Sequence, residues 1–325
     1  MLRQNDYLYA SARIRAMEAG LIGREKLERM LEQGTAAEAM AQVGATDAAT
    51  PAAREAWFTA RLEAAYREIL AMLPAPDAVR FLQYPYDCNN IKAALKCAAR
   101  GIDCASMLVG CSTLPAEAYP DMAERRDYSA LPSHMAAAAA EAWAAFARTS
   151  DPQQIDLILD RACYVDMREA ARTVFTAELV RTKIDLTNLM IFLRVLRMGL
   201  TPANRAMLDA ALLPGGDVPI ERFCEALEGG ETSLRGALTG TVCAEIFTRF
   251  DGEEEPTLAA LECACDDAWM RRVQAAKSVS FGEAVPVAYL CAWEYAVKNM
   301  RIICAGKDAG LPGETIRERM RECYA

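Results

Sequence analysis

Two adjacent carboxylates, Asp266 and Asp267, are the residues whose type and spacing come nearest to a catalytic pattern in this sequence. A carboxylate pair on a long helix suits Mg²⁺ bound to a diphosphate, as in metal-dependent lyases of the isoprenoid type. Such a site needs a further carboxylate three or four residues on, but Trp269, Met270 and Arg271 follow instead. The constellation is incomplete, so a lyase is the weaker alternative.

Twelve cysteines raise the alternatives of a metal site or a set of disulfides. They are Cys88, Cys97, Cys104, Cys111, Cys163, Cys224, Cys243, Cys263, Cys265, Cys291, Cys304 and Cys323. None belongs to a C-x-x-C zinc hook, and His134 is the one histidine that a mixed site could use. Cys97, Cys104 and Cys111 recur every seven residues, although Gly101 argues against one continuous helix there. We therefore expect reduced core cysteines, no metal and no cofactor.

Charge and histidine content limit the function further. The chain has 36 basic and 45 acidic residues and a net charge of −9, so a nucleic-acid-binding surface is not expected. No glycine-rich phosphate-binding motif occurs in the sequence. His134 lies between Pro132 and the alanine run 136–140, where we expect a surface residue at a helix start. Without a base-and-nucleophile pairing, the sequence predicts no catalytic residue and no enzyme.

The elements that position these residues are predicted to be helices throughout. In the window 52–72, apolar residues are spaced three or four apart and form one stripe of an amphipathic helix. They are Phe58, Leu62, Ala65, Ile69 and Met72. The apolar stretches 135–147 and 285–297 are interrupted by Glu141 and Glu294, and a membrane span needs about 20 apolar residues. The periodicity therefore predicts an all-α fold. No signal peptide is visible, so we expect the protein in a reducing cytoplasm.

Three long helices are predicted to begin with the same helix-start pattern, a polar or acidic residue followed by proline. The pairs are Thr50-Pro51, Asp151-Pro152 and Glu255-Pro256. A Thr or Asp side chain accepts hydrogen bonds from first-turn amides, and proline is tolerated at the first helical position. Each helix also carries an acid close to an aromatic residue. These pairs are Glu63 with Tyr66, Asp160 with Tyr164, and Asp266 with Trp269.

A second signature follows each of these helices: an asparagine with a glycine eleven residues later. The asparagines are Asn90, Asn188 and Asn299, and the glycines are Gly101, Gly199 and Gly310. Eleven residues are about three helical turns, so each glycine is expected to stop a helix that carries the asparagine. Asp87 and Asp185 stand three residues before their asparagines, whereas the third copy has Glu294 five residues before.

Together the two signatures predict three diverged copies of one helical module of about 100 residues. Gly and Pro cluster at 110–119 and 214–219, which are the expected breaks. The predicted modules are therefore residues 1–110, 111–213 and 214–325.

The repeated residues, in this order and spacing, resemble the C subunit of V-type and A-type rotary ATPases, whose equivalent in the eukaryotic vacuolar enzymes is the d subunit. The resemblance covers almost the whole chain and rests on several fragments. They are Ala12-Arg-Ile-Arg-Ala-Met-Glu-Ala-Gly-Leu-Ile22, Tyr86-Asp-Cys-Asn-Asn-Ile-Lys92, Ile155-Asp-Leu-Ile-Leu-Asp160, Asp185-Leu-Thr-Asn188, Ala211-Leu-Leu-Pro-Gly-Gly216, Asn299-Met-Arg301 and Gly306-Lys307.

The resemblance implies a funnel of three helical modules around a pseudo-three-fold axis. It also implies a non-catalytic subunit on the cytoplasmic side of the membrane, bound to the proteolipid (c/K) ring on one face. The central-stalk subunits (D/F type) would enter the cavity on the other face, and the chain would carry torque for H⁺ or Na⁺ transport. The third copy departs from the pattern because no acid precedes Asn299 by three residues.

Partner contacts are predicted at Lys92 and Arg301, which share an offset of two residues after the repeat asparagine, although Met190 stands at the third equivalent position. Asp87 and Asp185 are further candidates, with the alternative that they favour the positive end of a helix dipole. The asparagines and glycines of the repeat are expected to be structural. An all-helical adaptor unrelated to rotary ATPases remains the alternative function.

Overall fold

A computed structural model describes residues 4–227, 229–250 and 256–325. Within these ranges the chain forms sixteen α-helices. In chain order they are α1 (Leu8–Met17), α2 (Arg24–Glu32), α3 (Ala36–Ala41), α4 (Pro51–Met72), α5 (Arg80–Arg100), α6 (Ala118–Arg125), α7 (Ser133–Thr149), α8 (Gln153–Ala170), α9 (Val174–Met198), α10 (Pro202–Ala211), α11 (Ile220–Glu225), α12 (Gly230–Ala237), α13 (Val242–Thr248), α14 (Leu258–Gln274), α15 (Ala284–Asp308) and α16 (Gly313–Arg319).

The prediction of an all-α fold is confirmed, since the described ranges contain these helices, five short 3₁₀ turns and no strand. The chain divides into two compact units. One comprises Met1–Pro76 with Glu245–Ala325, and the other comprises Asp77–Ala244. This division follows packing and not the sequence repeat, so the three modules remain a prediction. None of the described helices is long and apolar enough to cross a bilayer.

The unit 77–244 is built around α8, which packs against both α5 and α7. Ile155 and Leu159 of α8 are fully buried, as are Ile91 and Leu95 of α5. Helix α7 presents small alanines to this core, which lets the two helix backbones approach closely. The spacing of buried residues at three and four positions is the amphipathic pattern that the sequence shows.

The other unit is built around α15, which contacts α1, α2, α3, α4 and α16. Eighteen of its residues are buried. In the stretch 284–293 every residue is buried, because neighbouring helices cover this part on all sides. Trp293 and Tyr295 lie in this core, and the Tyr295 ring stacks on Trp269 of α14 with ring centres 5.5 Å apart. Tyr66 of α4 is also buried and donates its hydroxyl to Glu294.

The predicted helix start is correct for the first of the three long helices, and the second helix begins one residue later than predicted. Thr50 accepts a hydrogen bond from the Ala53 amide at 3.2 Å, and α4 begins at Pro51. Asp151 accepts from the Gln153 amide at 2.9 Å, and α8 begins one residue after Pro152.

The predicted start of the third helix at Pro256 is wrong. Helix α14 begins at Leu258, two residues after Pro256, and the Thr257 hydroxyl caps it by accepting from the Ala260 amide at 3.1 Å. Glu255 lies outside the described residues. Thr257 is a suitable N-cap for the same reason as Thr50, because its short side-chain hydroxyl reaches an amide of the first turn.

All three repeat glycines follow the ends of their helices with positive φ. The angles are 65° at Gly101, 88° at Gly199 and 66° at Gly310. After Gly101 and Gly310, the amide of the next residue donates a hydrogen bond back to the helix. Ile102 donates to the Cys97 carbonyl at 3.1 Å, and Leu311 donates to the Gly306 carbonyl at 2.9 Å. This is the hydrogen bonding of a Schellman stop, which favours glycine.

The cysteines are thiols, and ten of the twelve are buried, as expected of core residues. The expectation is wrong for Cys224, which is exposed on α11, and Cys323 is half-buried. Cys97 lies in the last turns of α5 and Cys104 beyond Gly101, so the seven-residue spacing does not follow one helix.

A thiol-specific reagent should distinguish these cysteines in the folded chain. We expect one fast-reacting thiol, Cys224, because reagent access requires an exposed sulfur. The Cys224→Ser variant should lose this fast phase, and the denatured wild-type chain should show all twelve thiols. Rapid reaction of several thiols in the folded Cys224→Ser variant would contradict the burial of the ten core cysteines.

Candidate functional site

Each repeat asparagine is buried and pairs with the backbone of a single residue downstream. The amide nitrogen donates to a carbonyl oxygen, and the amide oxygen accepts from the N–H of the same residue. The pairs are Asn90 with Val109 at 2.9 and 3.0 Å, Asn188 with Leu213 at 2.9 and 2.8 Å, and Asn299 with Arg321 at 2.9 and 2.7 Å.

This two-point pairing explains why the position is an asparagine. Only a primary amide carries a donor and an acceptor at the spacing of a peptide group, so it satisfies both backbone groups of a non-helical residue. All three asparagine side chains have 0% exposure. Each one therefore holds the segment that follows its helix, and the same anchor occurs at three places along the chain.

Asp87 anchors the same loop as Asn90. One carboxylate oxygen accepts from the Thr113 amide at 2.8 Å and the other from the Thr113 hydroxyl at 2.8 Å. The Tyr119 hydroxyl also donates to this carboxylate. Asp87 is fully buried. It lies about two turns inside α5, so the alternative that it favours the positive end of a helix dipole is wrong. Burial raises the pKa of Asp87, while the hydrogen bonds from Tyr119 and Thr113 lower it.

Asp185 repeats this arrangement in the second copy, also from the interior of a helix, α9. Its two oxygens accept from the Asp217 and Val218 amides, each at 3.1 Å. Burial raises the pKa of Asp185 to about 6, against the lowering effect of these hydrogen bonds. A Cβ at Gly216 would lie 1.9 Å from the Asp185 carboxylate, so glycine at this position lets the loop reach the carboxylate.

The third copy uses a different carboxylate, as the missing acid before Asn299 suggested. Asp267 of α14 accepts from the Glu322 amide at 2.7 Å, directly after the Asn299-anchored residue Arg321. The C-terminal segment is thus held by an asparagine of one helix and an acid of another. The asparagine anchor is therefore the same as at Asn90 and Asn188, but here the carboxylate comes from α14 and not from the helix that carries the asparagine.

The Asp266-Asp267 pair is occupied by basic side chains of its own unit. Asp266 accepts from Lys298 and from Arg321 at 3.0 Å, and also from the Tyr295 hydroxyl at 3.2 Å. Asp267 pairs with Arg249 at 2.7 Å. Both carboxylates are only 6% exposed. The pair therefore holds this unit together, and the arrangement differs from an open magnesium-diphosphate site.

Lys92 and Arg301 each pair with an acid of a different long helix. Lys92 lies 2.7 Å from Asp160 of α8, and Arg301 lies 2.9 Å from Glu55 of α4. A second pair supports the first contact, since Lys96 lies 2.6 Å from Asp156. Each such pair is worth only about 0–1 kcal/mol when partly exposed. Their shared effect is to set the register of the packed helices.

The four predicted partner-contacting residues differ in exposure. Arg301 has 42% of its side chain exposed, and Lys92 has 15%. Asp87 and Asp185 are inside the fold with 0% and 1% exposed, so a partner reaches them only if their hydrogen bonds break. Direct partner contact stays a prediction for all four, and Arg301 offers the largest surface for it.

His134 lies at the start of α7 and is exposed, as predicted. Its Nε2 is 3.0 Å from Glu169, and with Asp166 these side chains form one group whose ligand atoms lie close enough to share a metal. Both Asp166 oxygens accept α7 amides, from His134 at 3.1 Å and Met135 at 2.8 Å. The positive end of α7 opposes a cation there, so the group is better described as a helix cap.

Comparison with known proteins places these features in one family. The ATP synthase (C/AC39) subunit family matches residues 10–319. The C subunit of the V-type sodium ATPase of Enterococcus hirae is 23% identical over 96% of this chain and 97% of its own length. The C subunit of the A-type ATP synthase of Methanocaldococcus jannaschii is 24% identical over 96% of this chain and 85% of its own.

A third relative extends the likeness to another archaeon. The C subunit of the A-type ATP synthase of Thermococcus kodakarensis is 23% identical over 97% of this chain and 90% of its own length. The family match at residues 10–319 includes all three repeat asparagines, Asn90, Asn188 and Asn299. On this evidence the chain belongs to the ATP synthase (C/AC39) subunit family.

Proposed function

We propose that this chain is a non-catalytic central-stalk subunit of a V/A-type ATPase. It would dock the central stalk onto the membrane proteolipid ring and transmit torque for ATP-coupled H⁺ or Na⁺ transport. The observation that carries the proposal is the asparagine anchor, which holds an equivalent segment at Val109, Leu213 and Arg321. Three equivalent anchored segments would suit a partner with its own rotational symmetry.

The mechanical requirement is stiffness, because a compliant coupler would store rotation instead of passing it on. Two features support stiffness. The long helices pack through fully buried apolar cores, which transmit strain with little compliance. The loops after the helices are fixed by buried amide and carboxylate anchors, whose loss leaves polar groups unpaired.

The proposed arrangement is a funnel of modules 1–110, 111–213 and 214–325 around a pseudo-three-fold axis. The proteolipid (c/K) ring would bind one face and the central-stalk subunits (D/F type) the other. The proposed location is the cytoplasmic side, as a peripheral subunit of a membrane-bound complex. Arg301 is the proposed contact for an acidic group of a partner, since its guanidinium is partly exposed beside a single carboxylate, Glu55.

Affinity purification of the tagged chain from native membranes tests the docking proposal. We expect recovery of the proteolipid ring and the stalk subunits, and a reduced yield with Arg301→Glu because the charge at the contact is reversed. Glu55→Gln controls for loss of the internal ion pair, and Arg67→Glu is a matched charge reversal at an exposed position on the same unit. An intact, active complex recovered without this chain would contradict the assignment.

A further inference from the structure

A cleft of about 800 Å³ lies in the unit 77–244, and we call it the α5 cleft. It is lined by the C-terminal half of α5, the loop that follows, the end of α7 and the start of α8. Apolar side chains form part of its wall, among them Cys97 of α5, Phe146 of α7 and Met107 of the loop. A concave wall of this size, with apolar residues and a few charged groups, is typical of a binding site.

Two residues of the α5 cleft, Ile102 and Met107, expose apolar side chains to solvent. Their exposed fractions are 49% and 55%. Six large apolar side chains are exposed among the described residues, so a third of them line this one cleft. Single exposed apolar residues are ordinary on a protein surface, whereas apolar residues gathered at a concave wall indicate an interaction site. Methionine suits such a site because its flexible thioether adapts to the shape of a partner.

Three cations of α5 line the cleft at intervals of four residues, and they differ in what they bind. They are Lys92, Lys96 and Arg100. Lys92 lies 2.7 Å from Asp160, and Lys96 lies 2.6 Å from Asp156, so both ammonium groups are paired. Arg100 is exposed, and its guanidinium forms no ion pair or hydrogen bond with the described part of the chain. The cation that the cleft leaves for a ligand is therefore Arg100.

The charge of the cleft fits a single carboxylate. A guanidinium holds a carboxylate through two parallel hydrogen bonds, and arginine and methionine are both enriched at protein interfaces. A polyphosphate or an anionic lipid surface suits the cleft less well, because the acids Asp151 and Asp156 also line it and repel a large negative charge.

We propose that the α5 cleft receives a segment of another subunit of the complex. This segment places one carboxylate on Arg100 and an adjacent apolar side chain against Ile102 and Met107. The partner comes from the complex, so this inference rests on the proposed function. Arg301 belongs to the other unit, so a substitution at Arg100 leaves the contact of Arg301 unchanged.

Photo-cross-linking in the assembled complex tests the α5 cleft. Ile102→Cys in the Cys224→Ser background carries a benzophenone label at the cleft, and the labelled full chain is added to the complex that lacks it. We expect irradiation to join the label to one other subunit, and mass spectrometry then identifies the acidic residue nearest to the junction. Arg100→Glu should lower the cross-linking yield at least about fivefold, the effect of losing one interface anchor.

A charge exchange shows whether Arg100 and this acid are partners. With the acid of the partner subunit replaced by arginine, the yield should recover for Arg100→Glu and fall for the chain with Arg100. Arg125→Glu is the matched control, because Arg125 is exposed in the same unit and does not line the cleft. Both arginines lie in the last turn of a helix, so both reversals oppose the helix dipole alike. The control should cross-link as the unreversed chain does.

The outcomes separate this inference from the proposed function. Cross-links to lipid alone, to a second copy of this chain or to nothing, in a complex that has taken up the labelled chain, would overturn the docking of a partner subunit in the α5 cleft. A charge exchange that restores nothing, or an equal loss with Arg125→Glu, would overturn the role of Arg100. In all these cases the chain is still part of the complex. A chain that the complex does not take up contradicts the proposed function, and the inference fails with it.

Discussion

Gly216→Ala is expected to destabilise the unit 77–244 by about 3–5 kcal/mol. The added Cβ would lie 1.9 Å from one Asp185 carboxylate oxygen, far inside van der Waals contact. Asp185 is short and buried on α9, so it cannot move without losing the Asp217 and Val218 amides. Overpacking costs about 1–3 kcal/mol, and each buried donor left unpaired adds about 1–3 kcal/mol.

Urea denaturation followed by circular dichroism measures this effect. Gly236→Ala is the matched control in the same unit, because a Cβ there meets no atom within 4 Å. Its position in α12 predicts an unchanged or slightly higher midpoint, since alanine is a better helix former than glycine by about 0.5–1 kcal/mol. Equal midpoints for Gly216→Ala and the wild type would show that the loop does not depend on its approach to Asp185.

Asn90→Asp is the second large effect, with an expected loss of about 2–5 kcal/mol. A carboxylate can still accept from the Val109 amide, but it cannot donate to the Val109 carbonyl or to the Ser112 hydroxyl. The substitution also places a charge at a site with 0% exposure, beside the buried Asp87. The loop after α5 should therefore loosen, and proteolysis within 101–117 should become faster.

The neighbouring Asn89→Asp is the control, since Asn89 is exposed on the same helix. It makes the same chemical change one residue away and should alter stability by no more than about 0.5 kcal/mol. Limited proteolysis and urea midpoints of the two variants, measured side by side, give the comparison. Similar behaviour of the two would mean that the buried amide pairing contributes little to the fold.

Much of the helical framework follows from local sequence signals. Thr50-Pro51 starts α4, and Gly101 ends α5, because capping and left-handed stops depend on residues close in the chain. The predicted start of α14 is wrong because Pro256 lies two residues before the helix and Thr257, whose hydroxyl is equally suited, provides the cap.

The partners of the repeat asparagines and of Lys92 lie far along the chain, so local spacing could not identify them. The distance from Asn90 to its partner is 19 residues along the chain, whereas the distance from Asn188 is 25. Such loops differ in length, so no fixed offset identifies the partner. The same holds for Lys92, whose offset from Asn90 is visible in the sequence while its partner Asp160 lies 68 residues away.

Ion pumping by the assembled ATPase tests the central claim most directly. The complex would be prepared with and without this chain, and ATP hydrolysis and ATP-driven ion uptake into vesicles would be measured together. A torque-transmitting, non-catalytic subunit predicts that removal abolishes ion uptake while the catalytic subunits still hydrolyse ATP, and that adding the purified chain restores uptake. Undiminished ion uptake by a complex that lacks the chain would contradict the account.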